Sequence, residues 1–282
     1  MKKIVFFNTK GGTGKTTICF NYGWYLAEKK NKKVLFLDFD PQISLVQAFF
    51  KNLQIPKNKC LENLMVNCLK KNEIDFSKYV IPINKNIDII PSSNNISLLE
   101  EYLTDYIIDK TFYDNRIYKS LDRVTIINEI LDKYIPDIYD FVIIDSQPNY
   151  SMLSCAAIVF AKNIVIVLKP ETFSFLDLGY LNRIINNLNS KFDISIKIIG
   201  LLINGYEKRR KISEKIVEKL NEKYKNYFDI IQNKIRYLSN YHISILIHKK
   251  PVFISFPNSE AAFDLLNAFK ELDNLVDSKI TS

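Results

Sequence analysis

The chain has 282 residues, of which 47% are hydrophobic and 13% aromatic, enough for one large domain with a well-buried core. Its formal net charge is +8, from 39 Lys and Arg against 31 Asp and Glu; this suits salt-sensitive contact with nucleic acid or an anionic membrane, or else reflects a Lys/Asn/Ile-rich composition throughout. The composition excludes a zinc or iron–sulfur centre, because the four cysteines at 19, 60, 68 and 155 form no C-x-x-C pair and His242 and His248 are the only histidines, and it excludes a spanning helix, because no apolar run approaches the ~18 residues a bilayer needs.

In chain order, a buried strand is expected over residues 3–7, in place of a signal peptide, and it leads into Lys10-Gly11-Gly12-Thr13-Gly14-Lys15-Thr16-Thr17. Three of the seven glycines of the chain fall within four positions of this run. Glycines between a buried strand and a helix let successive N–H groups turn inward. The helix start adds a partial positive charge and Lys15 a full one, so the run reads as a phosphate cradle. The Thr16 hydroxyl is the group such loops offer to Mg²⁺. A helix follows over 16–29, then a strand over 33–37 that ends in Asp38-Phe39-Asp40-Pro41-Gln42. Two short strands are expected at 79–83 and 87–90 and helices at 96–106 and 121–134. Next come a strand at 141–144 closed by Asp145, a helix at 152–161, a strand at 163–168, a helix at 173–189, a strand at 197–203, and helices at 212–225 and 259–275.

This alternation predicts an α/β fold with a mostly parallel twisted sheet flanked by helices on both faces. No repeat or Pro/Gly-rich boundary divides it, so residues 1–282 read as a single domain. Residues 105–122, polar and aromatic by turns, are either an insertion over the site or a connecting loop. Ligands of open parallel sheets gather at the carboxyl ends of strands, where Asp38, Asp40 and Asp145 belong. Asp145, closing Phe141-Val142-Ile143-Ile144, matches a Walker B acid that holds the hydration shell of Mg²⁺. No Ser/His/Asp or Cys/His set points to a covalent intermediate.

The loop departs from G-x-x-x-x-G-K-[ST] in having Thr9 at the first glycine and a second lysine, Lys10, before the glycine pair. It resembles the deviant Walker A loop, K-G-G-x-G-K-T-T, of the ParA/MinD ATPases. The resemblance continues through Asp38-Phe39-Asp40-Pro41-Gln42, Ile87-Asp88-Ile89-Ile90-Pro91-Ser92, Tyr139-Asp140-Phe141-Val142-Ile143-Ile144-Asp145, Lys169-Pro170-Glu171, Pro251-Val252 and Ser259-Glu260-Ala261-Ala262. It implies a P-loop ATPase fold with ATP and Mg²⁺ as cofactors. Gly11, Gly12, Thr13, Gly14, Lys15, Thr16 and Thr17 would bind nucleotide, and Thr16, Asp38 and Asp145 would surround the metal. Asp40 would orient the attacking water, and Lys10 would reach across a homodimer to the partner's nucleotide. Asn204 aligns with an adenine-contacting asparagine in related ATPases, and also reads as an ordinary turn residue. Two departures stand out: Gln147-Pro148 where the family has Pro-Pro, and a longer stretch at 233–250.

Within the family, the end of the chain from Phe269 to Asp277 is mixed to acidic, unlike the basic membrane-binding helix of MinD-like members. Cluster cysteines of nitrogenase-reductase-like members are missing, and the chain starts at its first strand, as in the small Soj-like type. The expected function is therefore an ATP-dependent dimer that binds DNA non-specifically and positions a chromosomal, plasmid or other cargo, with hydrolysis triggered by a ParB-like partner. The expected location is the cytoplasm, on the nucleoid when ATP is bound, without membrane attachment. The alternatives are a metabolite-phosphorylating enzyme resembling dethiobiotin synthetase, or a MinD-like positioning ATPase. For DNA contact the candidates are Lys208, Arg209, Arg210, Lys211, Lys215, Lys219, Lys223 and Lys225, with Lys249 and Lys250. Glu214, Glu218 and Glu222 interleave with them, so a solvated, salt-bridged helix face is the other reading.

Overall fold

Val34-Leu35-Phe36-Leu37 and Phe141-Val142-Ile143-Ile144 are apolar at successive positions, so they bury both faces only in a sheet covered from two sides. A computed structural model, which describes residues 1–51, 56–70, 74–114, 123–171, 174–208 and 210–280, places them side by side at the centre of such a sheet. The strands are β1 (Lys2–Phe7), β2 (Val34–Phe39), β3 (Ile81–Asn84), β4 (Ile87–Ile90), β5 (Phe141–Ser146), β6 (Asn163–Leu168), β7 (Lys197–Tyr206) and β8 (Ile235–Arg236). Their spatial order is β3-β4-β2-β5-β1-β6-β7-β8. Every pairing is parallel except the β3–β4 hairpin.

The helices are α1 (Lys15–Lys30), α2 (Ser44–Phe49), α3 (Leu61–Leu69), α4 (Leu99–Asp114), α5 (Arg123–Tyr134), α6 (Met152–Ala161), α7 (Ser174–Phe192), α8 (Lys211–Tyr224), α9 (Asn240–Ile243), α10 (Val252–Ser255) and α11 (Glu260–Lys279). One layer packs α1, α2, α9, α10 and α11 against Ile4, Phe6, Phe36 and Ile143; the other packs α3 to α8 against Val5, Phe7, Leu37 and Ile144. Alternate residues of each central strand thus feed opposite cores, as the two-residue period of a strand requires. The first core is aromatic: Tyr22 meets Phe6 at 5.7 Å and Phe269 at 5.2 Å between ring centroids, both edge-on. Gly23 of α1 lies so close to the sheet that a Cβ there would stand 2.0 Å from Cζ of Phe36.

The expected fold class holds, with shifts that bear on the site. β2 and β5 run two residues further than expected, so Asp38 and Asp145 lie inside the ladder, directly paired. β7 likewise runs on through Asn204. The helix expected at 96–106 begins as a 3₁₀ turn over Asn94–Leu98 and continues as α4. Residues 105–114, read as insertion or loop, therefore continue a helix, while 115–122 lie outside the described residues, as does Phe173 at the start of α7. The sequence reading missed α2, α3, α9, α10 and β8. Four of these are six residues or shorter, too short to show a period; α3 does show one, at Leu61, Leu64, Met65 and Cys68. The 233–250 stretch resolves into β8, α9 and a π turn over Ser244–His248.

Candidate functional site

The strand order turns outward on either side of β1, which lies between β5 and β6, and this is where open α/β sheets bind ligands. The loop after β1 is held from below. The Asn8 side chain donates to the Val167 carbonyl at 2.8 Å and accepts the Lys10 N–H at 3.0 Å. The Asn149 N–H donates to the Thr9 carbonyl at 3.2 Å. Gly12 and Gly14 take φ of +71° and +89°, a left-handed backbone that glycine adopts without a Cβ penalty. Gly14 caps α1, whose first turn carries no acidic residue to occupy the N–H groups, so the helix end is free to receive an anion.

Asn204 reaches this loop: its side-chain amide donates to the Thr13 carbonyl at 2.7 Å. A Cβ on Gly14 would stand 2.2 Å from the same nitrogen, so the glycine is required by the clamp as well as by its φ.

Three carboxylates and one ammonium define the electrostatics. Asp38 and Asp145 are fully buried and Asp40 nearly so; Lys15 is buried among them, and its Nζ donates to the Lys10 carbonyl at 3.2 Å. Burial pulls Lys15 below the usual lysine range, and the charges of Asp145 and Asp40 oppose that pull. Burial pushes Asp145 up, with the Thr16 hydroxyl and Lys15 lowering it and Asp40 raising it. Asp38 is pushed well up by burial and then by the Asp145 charge. Neither oxygen of Asp145, nor Oδ2 of Asp38, meets a hydrogen-bond donor at bonding geometry. Buried carboxylates are normally satisfied, and here a cluster of three has one ammonium, beside Asp145 and Asp40. The deficit fits a divalent cation beside Thr16. Among the described residues no group of three His, Cys, Asp or Glu forms a metal cage, so the remaining ligands of such a cation would come from phosphate oxygens and water.

Asp40 sits just beyond β2. Its N–H donates to Asp38 at 3.0 Å, and its carboxylate accepts the Gln42 N–H at 2.9 Å. The turn passes into α2 through Ile43 at φ +51°, a conformation that costs a β-branched residue of order 1–3 kcal/mol. Beside the loop is a cavity of about 460 Å³ lined by Gly12, Lys15, Thr17 and Asp40 on one side and by Gln47, Ile245 and Leu246 on the other. The apolar wall was not legible in the sequence, because it comes from the irregular stretch after β8.

Lys10, expected to reach a second subunit, is ion-paired within the chain to Glu171, which follows β6, and that contact holds Glu171 below the usual carboxylate range. The basic candidates divide. Lys211, Lys215, Lys219 and Lys223 are exposed along α8, with Glu214, Glu218 and Glu222 exposed among them, and Arg209 lies outside the described residues. Lys249 instead donates to the Gln47 carbonyl of α2 at 2.6 Å, in the opposite helical layer, so the two sets form no single patch. Among the described residues no cysteine forms a disulfide, and Cys19, Cys60 and Cys155 are buried.

A family model described as an AAA domain matches residues 1–198. The virulence plasmid ParA family protein pGP5-D of Chlamydia psittaci is 31% identical over 274 residues, spanning 97% of this chain and 95% of that protein. The chromosome-partitioning ATPase Soj of Treponema pallidum is 28% identical over 219 residues, 78% of this chain and 77% of that one. Among solved structures, an ATP complex of McdA from Cyanothece superposes with a TM-score of 0.79 at 21% identity, covering 100% of this chain and 98% of that one. Cobyrinic acid a,c-diamide synthase from Mycobacterium smegmatis, with an ATP analogue and magnesium, gives 0.71 at 18% identity over 98% and 94%. At such identities the two structures bear on the fold alone.

Proposed function

The chain belongs to the ParA family of P-loop ATPases, and from that premise we propose that it is a nucleotide-switched positioning ATPase. Residues 1–282 act as one unit that binds ATP with Mg²⁺, dimerises around it, holds DNA non-specifically, and hydrolyses ATP when a partner protein triggers it. The observation that carries this reading is the buried Asp38–Asp145 pair, short of donors, opposite Lys15 at the start of α1. A site so negative and so deeply buried is built for a cation and a polyphosphate together.

Gly11, Gly12, Thr13, Gly14, Thr16 and Thr17 offer backbone N–H groups and hydroxyls to the phosphates, and Lys15 sets its ammonium among them. Thr16, Asp38 and Asp145 would hold Mg²⁺, which when bound supplies charge neutralisation at the transferring phosphoryl group. Asp40 orients the attacking water from the end of β2; with no covalent intermediate to form, positioning carries the catalysis. Lys10 leaves Glu171 and crosses to the partner's nucleotide. The pair it leaves is half-exposed, and such pairs contribute about 0–1 kcal/mol, so exchange costs little.

Size-exclusion light scattering with a non-hydrolysable ATP analogue, repeated with generic duplex DNA, tests the reading. A nucleotide-dependent dimer that co-elutes with DNA is expected; a nucleotide-bound monomer indifferent to DNA overturns it in favour of a metabolite-phosphorylating enzyme. Lys10→Ala is expected to bind nucleotide but remain monomeric, with partner-stimulated turnover lost; a full dimer with normal turnover removes the cross-subunit role. The logarithm of the DNA affinity should fall linearly with the logarithm of salt concentration, by about one unit of slope per phosphate contact, and a flat dependence rules out a phosphate-contact mode.

A further inference from the structure

The segment after β8, whose Ile245 and Leu246 wall the cavity beside the phosphate loop, also carries exposed aliphatic side chains. Ile243, Leu246, Ile247 and Ile254 are exposed at 36, 60, 64 and 38%, all within twelve residues of sequence. They are not a frayed loop. The Tyr241 hydroxyl donates to the Ala261 carbonyl at 3.1 Å, the Ser244 hydroxyl to the Tyr241 carbonyl at 2.9 Å, and the Lys250 N–H to the Ser244 carbonyl at 3.2 Å. Buried Tyr241, Val252 and Phe253 root the segment in the core. The aliphatic side chains are therefore held outward by a rigid base.

The rim of this surface is cationic. Lys249 and Lys250 follow the π turn directly, Lys51 stands near enough to Lys249 to help lower its pKa, and Lys29 lies 5.8 Å from the ring of Phe253. None of these four ammonium groups is in an ion pair among the described residues, whereas neighbouring Lys30 is paired with Asp273. This differs from α8, where glutamates alternate with lysines.

We propose that this face docks on an anionic lipid bilayer, with Ile243, Ile247 and Ile254 entering the boundary between headgroups and acyl chains, Leu246 staying at the edge of the nucleotide cavity, and the four lysines resting on lipid phosphates. The chemistry separates this occupant from the other two that suggest themselves. Duplex DNA takes the cations but offers a charged, hydrated backbone to the isoleucines. A second copy takes the isoleucines but sets four lysines against four more. An anionic bilayer takes both. The proposal goes beyond the nucleotide switch and stands whether or not the chain binds DNA.

Co-sedimentation with vesicles of phosphatidylglycerol mixed with phosphatidylcholine, against phosphatidylcholine alone, tests it. The wild-type chain should sediment with the anionic vesicles only. Ile247→Ser combined with Ile254→Ser leaves the charge unchanged, and should weaken vesicle binding by about tenfold or more while duplex binding and the nucleotide-dependent dimer persist. No sedimentation of the wild type overturns the proposal. So does a serine variant that sediments like wild type, which would mark a purely electrostatic face for DNA. So does one that loses the dimer and keeps the vesicles, which would mark a subunit interface. If the serine variant fails to fold, as judged by its melting curve, Lys51→Glu with Lys250→Glu takes its place, and retained binding to anionic vesicles overturns the proposal.

Discussion

Lys15→Met is expected to lower ATP turnover by at least about 10²–10³-fold, the loss seen when one preorganised donor to developing charge is removed. Methionine keeps the length of the stem, which is buried, so the change isolates the ammonium. That ammonium is the charge facing Asp145 and Asp40, and it sits where α1 presents its N–H groups. Without it the site holds three carboxylates around a polyphosphate, so ground-state binding should fall as well. Equilibrium titration with a fluorescent ATP analogue, beside phosphate-release kinetics, separates the two losses. Unchanged affinity and turnover would mean that nucleotide chemistry happens elsewhere on the chain.

Gly23→Ala is expected to destabilise the fold by about 2 kcal/mol net, since overpacking a core costs about 1–3 kcal/mol or more and the gain in helix propensity returns about 1. The new Cβ would stand 2.0 Å from Cζ and within 2.8 Å of both Cε atoms of Phe36, a ring with no exposed surface and Phe49 edge-on at 5.0 Å. The ring cannot yield without moving that neighbour. Gly179→Ala in α7 is the control, because a Cβ there meets nothing within 4 Å and only the propensity gain remains. Thermal melts should place Gly23→Ala about 5 °C below wild type and Gly179→Ala level with it or about 2 °C above. Equal melting temperatures for the two variants would contradict the close approach of α1 to β2.

Much of the site was legible because its chemistry is local. A phosphate loop is one turn of backbone, and Gly11 to Thr17 carry the glycines, the lysine and the hydroxyl in consecutive positions. Asp38 and Asp145 were legible for another reason: each closes an apolar run, and strand ends in a parallel sheet converge. Their direct pairing was not legible, since the runs were expected to stop at Leu37 and Ile144, whereas the ladder continues through both acids. Lys10 shows the same limit. Its place beside the loop is local, but its ion pair is with Glu171, 161 residues away. Asn204 was read as a base contact or a turn residue; its hydrogen bond to the Thr13 carbonyl, across 191 residues, was not legible.

The sequence by itself determined the α/β class, the order of the main strands and helices, the phosphate loop and the strand-end acids, because each is set by spacing within a few residues or by an apolar run. Only the tertiary structure decided which groups share a volume: that one buried ammonium lies beside Asp145 and Asp40, that the cavity beside them is walled by Ile245 and Leu246, and that Lys249 lies with α2 in the layer opposite α8. It also decided that Ile243, Leu246, Ile247 and Ile254 stand exposed on the short turns after β8. Those turns have no period to read, and their exposure follows from how Tyr241 and Val252 anchor in a core assembled from both ends of the chain.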